Sequence, residues 1–89
     1  MKTNFEFISA LFNKAEKMEN IDNCNNYQAN FYKVEICNNN NLQIESGCIT
    51  EFGERFFNDN VRECTPSYKE FKKLLKISND RTVFFVYED

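Results

Sequence analysis

The stretch FYKVEICNNNNLQIES, residues 31–46, decides the fold. Tyr32, Val34 and Ile36 alternate with Lys33, Glu35 and Cys37, the period-two pattern of a half-buried strand over Phe31–Cys37. Four consecutive Asn, Asn38–Asn41, break it, and a second alternating run follows over Leu42–Ser46. Parity restricts the register, because directly opposed residues share a face. Pairing Cys37 with Leu42 would set Ile36 against Gln43 and Val34 against Glu45. Pairing Asn38 with Leu42 sets Ile36 against Ile44, Val34 against Ser46 and Tyr32 against Cys48, and yields one apolar face. That register leaves a three-residue loop, Asn39–Asn41, of the kind that needs a left-handed residue. Asn adopts that conformation more readily than most residues. The register also opposes Glu35 to Glu45, a like-charge pair that weakens the sheet slightly.

The remaining elements are placed around this hairpin. Upstream, Thr3 and Glu6 form a T-x-x-E capping box. Phe5, Ile8, Phe12 and Ala15 recur at helical spacing, widened by Leu11 and Met18, which predicts a helix from about Asn4 to Lys17. Glu19–Asn30 holds five Asn and no periodicity and reads as a long loop, with Ile21 and Tyr27 as its anchors. Downstream, Ser46-Gly47 reads as a turn or bulge. A third strand is expected within Cys48–Phe57 and a loop at Asn58–Asn60. A second helix is expected from an N-cap at Thr65, with Pro66 in its first turn, to about Ile77. Tyr68, Phe71, Leu74 and Leu75 would be its buried face, and Ser78-Asn79-Asp80 its end. Thr82–Tyr87 is the last strand, apolar on both faces, which marks a central strand or an exposed patch. The order is αβββαβ, a single α+β domain over residues 1–89. Its antiparallel sheet has both helices on one face. Phe31, Lys33, Glu35, Phe84 and Val86 are expected on the other.

Composition narrows the chemistry. The chain has no His and no Trp, so the commonest general base and metal ligand are missing. Two Gly cannot build a phosphate-binding loop, and none of the serines has a nucleophile-elbow context. Carboxylates three apart, such as Glu51 and Glu54, are ordinary surface charges. No enzyme activity and no cofactor are expected. The four cysteines, Cys24, Cys37, Cys48 and Cys64, contain no C-x2-C pair, which favours free thiols over two disulfides or a four-thiolate metal site. No secretory h-region follows Met1, and the longest apolar run, Val83–Tyr87, is far short of a membrane span. A cytoplasmic protein with no membrane partner is the expectation.

Charge gives the candidate surfaces. The net charge is −3. The sheet region carries Glu35, Glu45, Glu51, Glu54, Asp59 and Glu63, a candidate acidic face for a basic partner. The second helix carries Lys69, Lys72, Lys73 and Lys76 at i, i+3, i+4 and i+7, a candidate stripe for phosphates. Fourteen of the 89 residues are Asn, and Phe, Tyr, Met, Ile, Asn and Lys together make up 44, which fits an A/T-rich source. Small acidic domains without catalytic groups, from such sources, suggest a phage- or mobile-element-encoded inhibitor. It would occupy a host nucleic-acid-handling protein, in the manner of anti-CRISPR or anti-restriction proteins. A nucleic-acid-binding regulator using the lysine stripe is the alternative, and a homodimeric interaction module is the third.

Overall fold

A computed structural model of the chain describes residues 3–17 and 29–88. The elements are α1 (Asn4–Lys14), β1 (Glu16–Lys17), β2 (Phe31–Ile36), β3 (Leu42–Ile49), β4 (Arg55–Cys64), α2 (Tyr68–Ser78) and β5 (Val83–Tyr87). The strands form one antiparallel sheet in the order β1-β4-β3-β2-β5. The α+β class and the expected element order are observed, with the two-residue β1 added.

α1 begins where the capping signal places it, with Thr3 Oγ1 accepting from the Glu6 N–H at 3.1 Å. It stops three residues early. Ala15 is extended, and Glu16 and Lys17 pair with Glu63 and Arg62 at the β4 edge. Sheet pairing overrides the helical spacing of Ala15 there. Met18 and most of the Glu19–Asn30 segment, including Ile21, Cys24 and Tyr27, lie outside the described residues. Asn30 is a bend just before β2. Its side-chain amide donates to Ile49 O at 3.0 Å and its Oδ1 accepts from Ile49 N at 2.7 Å, so it ties the start of β2 to the end of β3.

The central hairpin keeps the expected parity but not the expected register. Ile36 opposes Leu42, Val34 opposes Ile44 and Tyr32 opposes Ser46. Cys37 N donates to Asn41 O at 2.7 Å, which closes a loop of Asn38–Asn40, one residue earlier than predicted. Two physical gains explain the slide. Leu42 enters the sheet and is fully buried, instead of lying beyond its end. On the other face Glu35 meets Gln43 and Lys33 meets Glu45, so the predicted Glu35–Glu45 repulsion does not occur. The turn needs two left-handed residues, and Asn39 and Asn40 both have φ of 62°.

The second hairpin differs more. β3 continues to Ile49, and the turn is Thr50–Glu54, with Gly53 at φ 83°. β4 then runs straight through the predicted Asn58–Asn60 loop. Between Gly47↔Phe57 and Glu45↔Val61 three β4 residues face the single Ser46, so the Asn cluster forms a bulge inside a strand. α2 also starts later than expected. Its N-cap is Ser67, not Thr65, because Ser67 and Glu70 complete a capping box. Thr65 instead donates to Asn41 Oδ1 at 2.7 Å. Asn79 and Asp80, both left-handed, end the helix.

Both helices cover one sheet face. Ile8, Leu11 and Phe12 of α1 and Leu74 of α2 join Tyr32, Val34, Leu42, Ile44, Phe84 and Val86 in one buried cluster. Lys14 bridges to Glu70 at 2.5 Å between the helices. The Arg62 guanidinium lies 4.3 Å from the Phe12 ring centroid and donates to Phe12 O. Phe84 and Val86 were expected on the open face, and the structure reverses this. Phe31 pairs with Tyr87 and Lys33 with Phe85, so Val83, Phe85 and Tyr87 share the face of Phe31. On α2, Leu74 and Ser78 are buried. Tyr68 and Leu75, predicted to be buried, are 75 % and 47 % exposed. Leu74 sits in the core cluster with Ile77 packed against it, and Leu75 turns outward.

Candidate binding face

The sheet face opposite the helices is built in rows. Phe57, Gly47, Phe31 and Tyr87 form one row across β4, β3, β2 and β5. Val61, Glu45, Lys33 and Phe85 form the next, and Glu63, Gln43, Glu35 and Val83 the third. Phe31 is fully buried although no helix covers it. Its ring lies over Gly47, where an added Cβ would come 2.1 Å from Phe31 Cζ. Phe57, Phe85 and Tyr87 surround it, with centroids 5.6, 6.3 and 6.1 Å away. These three rings stay about two-fifths exposed, at 42, 40 and 39 %. Arg55 Cζ sits 5.9 Å from the Phe85 centroid and 5.4 Å from that of Tyr87. A small second core thus ends in an aromatic platform with a guanidinium at its rim. The β3–β4 turn beside it carries Phe52, 84 % exposed.

The six predicted acidic residues do not form one patch. Glu35, Glu45 and Glu63 share the open face, next to the aromatic row. Glu51 and Glu54 lie on the β3–β4 turn, beyond Ile49, which is itself about 20 Å from Gln43 at strand rise. The Asp59 side chain lies outside what the structure describes. The four predicted lysines, Lys69, Lys72, Lys73 and Lys76, are all exposed on α2, on the opposite side of the molecule from the platform. Lys72 Nζ lies 5.1 Å from the Tyr68 centroid and Lys73 Nζ 4.6 Å from that of Phe7.

Sequence reasoning missed the platform as a unit. The signal was present in Gly47, since an isolated Gly in a strand marks a bulge or a close approach. The close approach is that of the Phe31 ring. The alternation of β5 was read correctly, but its facing was not.

Cys37, Cys48 and Cys64 are free thiols. Burial pushes the Cys37 and Cys64 thiols up, with Glu35 and Glu63 adding at Cys37 and Glu70 at Cys64. A raised thiol is the opposite of an activated nucleophile, and this holds for Cys37 and Cys64. Among the described residues no group of His, Cys, Asp or Glu side chains could hold a metal ion. No described helix is long and apolar enough to cross a membrane. The chain matches no family model, no curated protein and no solved structure.

Proposed function

We propose that this α+β domain is a non-enzymatic binding protein that lays its open sheet face onto another protein. The observation that carries the reading is the platform of Phe57, Phe85 and Tyr87, exposed over Phe31 and rimmed by Arg55. Aromatic and Arg side chains are the groups enriched at protein interfaces and their energetic hot spots. Glu35, Glu45 and Glu63, in the neighbouring rows, favour a partner whose apolar site is flanked by basic groups. Proteins that handle nucleic acid carry such basic grooves. An inhibitor encoded by a phage or mobile element, cytoplasmic and directed at a host defence protein of the CRISPR or restriction kind, is the concrete form of this proposal. Acidity and A/T-rich composition support it. The test is capture from the native host with wild type and with Phe57→Ala/Tyr87→Ala. Wild type is expected to retrieve a nucleic-acid-handling protein, and the folded double variant to lose it by more than tenfold. Equal retrieval by both, or retrieval of no such protein, overturns the reading.

Direct nucleic-acid binding by α2 is a second reading. It is favoured by the exposed Tyr68, which lies alongside Lys72 and can stack on a base. A gel shift at low salt that Lys72→Glu/Lys76→Glu abolishes would support it, and no shift would end it.

A further inference from the structure

Arg55 belongs to β4, while Phe85 and Tyr87 belong to β5, and β3 and β2 lie between them. At ordinary strand spacing that is about 14 Å of sheet. The guanidinium is nevertheless 5.4 Å from the Tyr87 centroid and 5.9 Å from that of Phe85, so the Arg55 side chain lies across the open face. Among the described residues it makes no ion pair. The ring faces hold it, because their π electrons attract a cation. Arg55 remains exposed, and a long side chain loses much rotamer freedom when held in one place. A contact of this kind is weak and exchanges readily.

The surroundings also suit a cation. Glu35, Glu45 and Glu63 stand in the two rows next to the platform, where Lys33 is the one cation among them. The rings and their neighbours therefore favour the same sign of charge. The charged group that the structure already places on the rings is a guanidinium.

We infer that the platform receives an arginine side chain of the partner, and that Arg55 occupies it in the free protein as an internal placeholder. The partner's guanidinium stacks on Phe85 and Tyr87 in place of Arg55, which swings off the rings into solvent. Further basic groups of the partner meet the glutamates. Arginine fits better than lysine, because a planar, weakly hydrated guanidinium stacks on a ring as an ammonium does not. The placeholder also sets a threshold. An arriving arginine must displace one already in place, so a lone basic group gains little and a cluster of them gains more. The inference rests on the docking proposed for the sheet face and names the group that the face takes.

Titration of the full chain with hexa-arginine and with hexalysine, followed through the ring-proton NMR signals of Phe85 and Tyr87, tests it. Hexa-arginine is expected to move those signals and to bind more tightly than hexalysine of equal charge. Arg55→Ala is expected to raise the ratio of the two affinities about two- to fivefold, the weight of one exposed cation–π contact. Both peptides gain alike from the lost positive charge, so the ratio isolates the vacated rings. Tyr87→Ala is expected to lower it. Ring signals that stay still, equal binding of the two peptides to wild type, or an unchanged or lowered ratio in folded Arg55→Ala each overturn the inference. If Arg55→Ala does not fold, the wild-type preference for arginine and its loss in Tyr87→Ala decide. Partner capture separates this inference from the docking reading. Capture that Phe57→Ala/Tyr87→Ala abolishes, together with failure of the peptides, overturns the arginine receptor and leaves the docking face.

Discussion

Gly47 shows how one residue can determine a surface. Its missing side chain is the space the Phe31 ring occupies, and Phe31 in turn supports Phe57, Phe85 and Tyr87. Gly47→Ala would bring a methyl to 2.1 Å from Phe31 Cζ, a distance no packing tolerates, so the ring must move. Overpacking of this kind costs about 1–3 kcal/mol. The expected outcome is a lower denaturant midpoint in urea unfolding, with the platform rings displaced and partner binding lost along with it. Wild-type binding in a folded Gly47→Ala variant would show that the platform is not held this way. The asparagines teach a related lesson. That a left-handed Asn would be needed in the Asn38–Asn41 turn was legible from loop length and parity. That two are used, Asn39 and Asn40, was not, because choosing between registers of equal parity depends on burying Leu42 and on the Lys33–Glu45 match across the strands. Those are tertiary and cross-strand energies, which local propensity does not contain.

At the scale of elements, helix starts and ends were misplaced where side chains compete for the same backbone groups. Thr65-Pro66 is a good start signal, but Ser67-x-x-Glu70 satisfies two N–H groups instead of one and sets the helix two residues later. Glu70 has a second task. Its Oε1 accepts from Ser67 N, while its Oε2 holds Lys14 across to α1. The Lys14 hydrogen bond, followed by the Ser67 backbone bond, draws the Glu70 carboxyl below its ordinary 4.5. The same pairing raises the Lys14 ammonium above 10.5. A depressed carboxyl stabilises the fold fully above its unfolded value and loses that contribution as pH falls through the folded one. Glu70→Gln keeps an acceptor for the cap but removes the charge. Thermal melts should therefore show wild type above Glu70→Gln near neutral pH, with the gap closing as pH drops below about 4.5. Carboxylates common to both proteins cancel in that difference. A gap that persists unchanged into acid would assign the effect to hydrogen bonding alone. The extended Ala15 and the Asn58–Asn60 bulge were not legible for a different reason. Ala15 is set by β1 pairing with β4, a contact between segments more than forty residues apart, and the bulge by the register of β4 against β3 on either side of Ser46.

The whole molecule has two opposite faces of unlike chemistry, aromatic and acidic on the sheet, basic on α2. The fold class followed from the order of periodic segments, and the division into faces followed from strand parity. The choice of which face of β5 meets the helices did not, since both faces are apolar and only the even pairing of Phe31 with Tyr87 decides it. A helix about 10 Å across lies between the lysine stripe and the sheet. Charges on the two sides are thus separated by more than the screening length of about 10 Å at 0.1 M salt. Lesions on the two faces should act independently. Lys72→Glu/Lys76→Glu is expected to leave affinity for the sheet-face partner within about twofold at that salt. Phe57→Ala/Tyr87→Ala is expected to reduce it by more than tenfold, and the quadruple variant to match the product of the two. Titration of the captured partner with all three variants measures this directly. Should the lysine pair weaken that partner as strongly as the aromatic pair does, the partner must wrap both sides, and a single docking face on the sheet would be the wrong description of how this domain binds.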